Sequence, residues 1–155
     1  MNTAQPTFTR KVLAFIIALI IAAALSSVMQ SQFNLVAIAA LVDQLPFGDW
    51  LYTVWFDLQS FAPIMLVILA PVLLLSLIAV RLLQPLININ ALWLAVVITM
   101  LALLLALSLI NMLAPMPTLI AASRSVAGSV ALALCAAAGA AIYVSLTRNS
   151  EAANG

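Results

Sequence analysis

The sequence predicts an all-α membrane protein: a bundle of four transmembrane helices, with an amphipathic helical hairpin at the outer leaflet between the first and second. Three observations predict it. Of the 155 residues, 67% are hydrophobic and 6% are charged, against about 25% charged in a soluble domain. Four apolar stretches reach the roughly 20 residues that a helix needs to cross the hydrocarbon core. Between the first two lies a segment too apolar for a water-exposed loop, yet with no single run long enough to cross. A soluble fold of this length leaves too much surface outside its core to hide such a composition.

The spans are expected at 12–29, 61–83, 90–113 and 125–146, within a single membrane domain 1–155. Long unbroken runs give helices; barrel strands would show about ten residues of alternating polarity. Arg10 and Lys11 precede the first run, as they would in a secretion signal. That run is long for a signal core and is followed by Gln30-Ser31-Gln32, although 22–27 could mimic a small-residue cleavage site. It is read as an uncleaved helix. In the second span Pro63 falls in the first turn, where its missing N–H costs nothing, and Pro71 falls mid-helix and predicts a kink. Gln84-Pro85 predicts a tight turn, and Asn90 an N-cap for the third span. Pro115 and Pro117 end that span.

Orientation follows from Lys and Arg in the short loops. With both termini inside, the cytoplasmic side holds Arg10, Lys11, Arg81 and Arg148, and the outer side holds Arg124 with Asp43, Asp49 and Asp57.

The outer segment, 31–60, holds two candidate helices. The run 33–42 is apolar apart from Asn34 and too short to cross, so it reads as interfacial or re-entrant. Pro46-Phe47-Gly48-Asp49 predicts a turn, with Asp49 capping a helix over 50–60. At 100° per residue, Trp50, Leu51, Val54, Trp55, Leu58 and Phe61 share a face. Trp50, Tyr52 and Trp55 suit the membrane–water boundary, where amphipathic rings concentrate.

Asp57 sits at the edge of that apolar face and needs a partner or water. Arg124, among small and apolar neighbours at the start of the fourth span, has the same need at the same depth. Two readings are open. In one, Arg124 forms a structural ion pair with Asp57, Asp49 or Asp43. In the other, Arg124 with Ser123 and Ser125, near Trp50 and Trp55, binds a lipid phosphate or similar anion, which the guanidinium fork suits. Small residues recur every four positions at Ala14, Ala18, Ala22 and Ser26, and again at Ala127, Ala131, Cys135 and Gly139. Such stripes let helix backbones approach closely, either within one bundle or between copies in a homo-oligomer.

Several function classes find little support. With no His and one Cys, Cys135, the chain lacks the equipment for most transition-metal sites, for His-based acid–base catalysis and for an intramolecular disulfide. Cys135 reads as a small buried residue, since no flanking cation or base activates it. A net charge of +1 gives no field for nucleic acid. No catalytic residue, metal or cofactor is expected.

Known four-helix families sharpen this. Small multidrug exporters carry an acid in the first helix, which 12–29 lacks. Lipoprotein signal peptidases use an aspartate dyad in later helices, whereas all three Asp here precede the second span. Membrane thiol oxidoreductases need cysteine pairs. The glutathione-related membrane family has a charged second-helix motif, where 61–83 has only Arg81. The long first outer loop with tryptophans resembles claudin-like tetraspans in topology, without their loop cysteines.

In Pro46-Phe47-Gly48-Asp49, Phe61-Ala62-Pro63 and Ala121-Ala122-Ser123-Arg124-Ser125, the chain resembles small, uncharacterised four-helix proteins of the bacterial inner membrane. That resemblance implies the bacterial cytoplasmic membrane and names no activity. The expected function is non-enzymatic: an accessory or scaffold subunit beside a larger membrane protein, or a lipid-binding protein, acting through helix packing and the outer hairpin. The alternative is a subunit of an oligomeric small-solute transporter or channel.

Overall fold

In an apolar medium each backbone N–H and C=O needs a partner within the chain, and a helix supplies them from its own segment. In the computed structural model, which describes residues 7–42, 46–113 and 120–152, the regular elements are all helical. They are α1 (Phe8–Ala39), α2 (Phe47–Ser60), α3 (Ala62–Leu83), α4 (Ala91–Leu113) and α5 (Val126–Ala152), with a 3-10 turn at Ala121–Arg124 before α5. Four helices are long and apolar enough to cross a membrane: Phe8–Ala39, Ala62–Leu83, Ala91–Leu113 and, within α5, Val126–Arg148. The chain is thus an all-helical protein with the makings of an integral membrane bundle.

The α3 and α4 boundaries lie within a residue of the sequence reading. Pro63 sits in the first turn of α3, and the helix continues through Pro71. The Asn90 side chain caps α4, its Oδ1 accepting from the Leu92 N–H at 3.0 Å. Residue 43 and residues 114–119 lie outside the described residues, so the expectations placed on Asp43, Pro115 and Pro117 fall there too.

The segment between the first two spans differs from expectation in two ways. First, α1 does not stop near residue 29 but runs on as one helix of 32 residues to Ala39. The first arm of the expected hairpin is therefore the end of α1. Its polar residues at 26–32 do not break the helix, since Gln is a good helix former, and most of them find partners on neighbouring elements. At 1.5 Å per residue α1 is about 48 Å long, well beyond the ~30 Å hydrocarbon core. Second, α2 begins at Phe47 with Pro46 as its N-cap, so Gly48 and Asp49 lie inside the helix. Asp49 is not the cap; it sits in the first turn, where a negative charge meets the positive end of the helix dipole.

Around the bundle the four long helices follow chain order: α1 packs on α3, α3 on α4, α4 on α5, and α5 back on α1. The α1–α5 seam is a close approach of two backbones. A Cβ added at Gly139 would lie 2.7 Å from the Ala22 Cβ and 3.0 Å from the Ala18 carbonyl oxygen. Ala14, Ala18, Ala22 and Ser26 are all buried on α1; on α5 Cys135 and Gly139 are buried, while Ala127 is exposed. These small side chains let two backbones close up where lipid gives no hydrophobic force between helices. Outward, mid-helix leucines stay uncovered by protein, Leu101 at 62% and Leu105 at 63% exposure. Lipid is the medium that such a surface requires.

Candidate functional site

Most of the buried polar residues described gather at the end of the bundle away from Phe8 and Arg148, and α1 organises them. Ser27 and Ser31 are one helical turn apart and share a face toward α2, and both are fully buried. The Ser31 hydroxyl donates to the Asp57 carboxylate at 2.8 Å, and the Ser27 hydroxyl donates to the Asp57 backbone carbonyl at 2.9 Å. Next to Ser31, Gln32 Oε1 accepts from the Trp50 indole N–H at 3.2 Å. Trp50 and Asp57 stand seven residues apart on α2, so one stripe of that helix carries both attachments to α1.

A second face of α1 holds the 3-10 turn. The Ala122 N–H donates to Gln30 Oε1 at 2.8 Å, and both residues are buried. Gly128 allows this docking: a Cβ there would overlap the backbone carbonyl of Ala122. Ser123 is buried, and its hydroxyl reaches the Ile120 carbonyl at 2.8 Å and Asn111 Oδ1 at 3.2 Å. The Ser125 hydroxyl accepts from the Gly128 N–H at 3.0 Å, capping α5. Arg124, between them, closes the 3-10 turn with its side chain exposed.

These contacts place Asp57, Ser123, Arg124 and Ser125 around the same two turns of α1, at one end of the molecule. Asp57 has its partner in Ser31, a residue the sequence reading did not single out. Ser123 and Ser125 both use their hydroxyls within the chain. Asp49 lies in the first turn of α2, exposed.

The residues that the helical wheel puts on one face of α2 are only partly covered by protein. No residue of α2 is fully buried. Trp50, Val54, Asp57 and Leu58 turn inward, while Phe47, Leu51, Tyr52, Trp55 and Phe56 are exposed, Trp55 at 60%. Tyr52 and Phe56 stack with ring centroids 6.4 Å apart. The helix is thus apolar on two sides: one held by α1, the other aromatic and open.

Comparison with protein-family models, curated proteins and solved structures finds no match. The site therefore rests on its own geometry. The residues missed at first, Ser27, Gln30, Ser31 and Gln32, did carry a signal. Ser27 and Ser31 are four apart on one face of an apolar helix and Gln30 and Gln32 flank them; buried polar groups generally have partners, so such a cluster marks this end of α1 as a contact.

Proposed function

We propose that the chain is a non-enzymatic integral membrane protein, an accessory or scaffold subunit or a lipid-binding protein, that presents α2 at the outer membrane boundary. The observation that carries this reading is the two-sided α2, tied to α1 through Asp57 and Trp50 while Leu51, Tyr52, Trp55 and Phe56 face outward. Aromatic rings with a polar edge favour the membrane–water interface, so this face suits lipid headgroups or the flank of a larger membrane protein. The α1 extension and α2 together form the outer hairpin.

The decisive experiment follows Trp55 fluorescence in reconstituted vesicles, with Trp50→Phe and Trp93→Phe leaving it as the single tryptophan. Bromines placed near the lipid headgroups should quench it more than bromines at mid-chain, and aqueous iodide should quench it weakly. Strong iodide quenching without bromolipid quenching overturns the interfacial placement.

Charge supports both termini in the cytoplasm of a bacterial inner membrane: Arg10, Lys11, Arg81 and Arg148 lie toward one end, Arg124 toward the other. A cysteine at Ser60, in a Cys135→Ala background, should react with an impermeant thiol reagent from outside the cell. Arg124 lies at the same end as Asp49 and Asp57, so an ion pair there remains part of the proposal. Asp57→Arg combined with Arg124→Asp should fold better than either single change if they pair, and no better if they do not.

The transporter alternative has less to build on. The buried polar residues described are Ser26, Ser27, Gln30, Ser31, Ser76, Thr99 and Ser123, none of them charged, which gives a proton or ion pathway little to work with.

A further inference from the structure

At the end of the bundle that carries Phe8 and Arg148, two open clefts share a wall. One, of about 580 Å³, lies between α1, α3, α5 and the start of α4, with Lys11, Arg81, Gln84, Tyr143 and Thr147 around it. The other, of about 520 Å³, runs between α1 and α3, lined by Phe8, Val12, Phe15, Leu74 and Ile78. Lys11, Leu77, Arg81 and Tyr143 belong to both. No carboxylate lines either cleft among the described residues.

We propose that this pair of clefts binds one anionic phospholipid of the adjacent leaflet, its phosphate between Lys11 and Arg81 and an acyl chain in the α1–α3 groove. The ligand class follows from the juxtaposition. Two cations and a phenol with no opposing acid fit a phosphate, which an arginine fork and a lysine ammonium recognise together. A free phosphate would explain the cations but not the apolar groove that continues from them. A plain acyl chain would explain the groove but not the cations. An anionic phospholipid uses both, and basic pockets between helices on the cytoplasmic side are where such headgroups settle. The inference rests on the proposed membrane placement with this end cytoplasmic, not on where α2 sits.

The test uses the full chain, extracted gently and examined by native mass spectrometry for retained lipid. Phosphatidylglycerol, phosphatidylcholine and inorganic phosphate are offered as separate arms. Wild type should retain one phosphatidylglycerol per chain in preference to phosphatidylcholine, and millimolar phosphate should not displace it. Lys11→Gln with Arg81→Gln should weaken retention roughly thirtyfold, two surface-proximal charges being lost. Arg10→Gln with Arg148→Gln removes the same charge at the same end outside these clefts and should retain the lipid. Ile78→Trp keeps every charge but fills the groove, and should also weaken retention. Its folding is checked by the unchanged melting temperature of the bundle.

Three results overturn the proposal. The Lys11/Arg81 variant could hold the lipid like wild type. The Arg10/Arg148 control could lose it equally, which would make the attraction a property of the whole surface. Or phosphate alone could bind and displace the lipid while Ile78→Trp changes nothing, which would make the site one for a free anion.

Discussion

The two ends of the bundle are built from similar helices and treat polarity in opposite ways. At the end away from the termini, the side chains of Ser27, Gln30, Ser31 and Gln32 all reach from α1 to other elements, and each hydrogen bond closes within the chain. Polarity there holds α2 and the 3-10 turn against the bundle. At the opposite end, Lys11 and Arg81 line open clefts, and Arg148 donates to Asn90 Oδ1 at 3.4 Å on the exposed surface. A buried polar group needs a specific partner, whereas a charge at the rim of an apolar groove keeps its water until a ligand arrives. The first end is therefore fixed by its own sequence, and the second is open to its surroundings.

The largest effect expected at the closed end comes from Gly128. In Gly128→Ala the new Cβ meets the Ala122 backbone, which cannot rotate away as a side chain could. The substitution should cost about 3 kcal/mol, from overpacking and from a weakened Ser125 cap. It should also release the Gln30 bond to Ala122. Amide exchange is expected to rise across 121–130 while α3 and α4 keep their protection. Uniform loosening of all helices would show that the two ends are not separable.

Next in size is the α2 anchor. Ser31→Ala leaves the Asp57 carboxylate without its hydroxyl partner and should cost about 1.5–3 kcal/mol, the range for hydrogen bonds to charged groups. In a double-mutant cycle with Asp57→Asn, coupling should exceed about 0.5 kcal/mol. Additive effects would show that the 2.8 Å contact contributes little. Trp50→Phe retains the ring and loses only the bond to Gln32, so a smaller loss of about 1 kcal/mol is expected. Its signature should be faster exchange in α2 with the bundle unaffected.

Much of the closed end was written in the sequence at the level of elements and little at the level of contacts. Apolar run length located α3 and α4 because lipid-facing helices need continuous hydrophobicity, and Asn90 and Pro63 marked helix starts for local reasons. The extent of α1 was misread because Gln30-Ser31-Gln32 looks like the end of an apolar run. Loss of apolar character ends a hydrophobic run but not a helix, since Gln is a good helix former. The wheel for 50–61 grouped Leu51 and Trp55 with Trp50, Val54 and Leu58 and set Asp57 at the edge of that face, but a broad apolar face does not say which part of it α1 covers. Arg124, Ser123 and Ser125 were singled out as a group, and the structure gives both serine hydroxyls local roles that spacing alone did not reveal. The basic clefts went unseen because Lys11, Arg81 and Tyr143 come from three different helices, and only the bundle brings them together.

The smallest expected effect lies at the open end and tests whether it tolerates disturbance. Asn90→Ala removes the cap that Oδ1 provides to the Leu92 N–H, and with it the bond from Arg148. The site is exposed, so water replaces much of what is lost, and the cost should be about 0.5 kcal/mol, at the low end for a cap. Thermal unfolding should shift slightly, and exchange should rise only in the first turn of α4. Asn90 does not line the clefts, so phosphatidylglycerol retention should stay at the wild-type level. If this change instead abolishes retention, the clefts depend on the α3–α4 turn for their shape, and the contrast between a fixed end and an open one gives way to a single coupled structure.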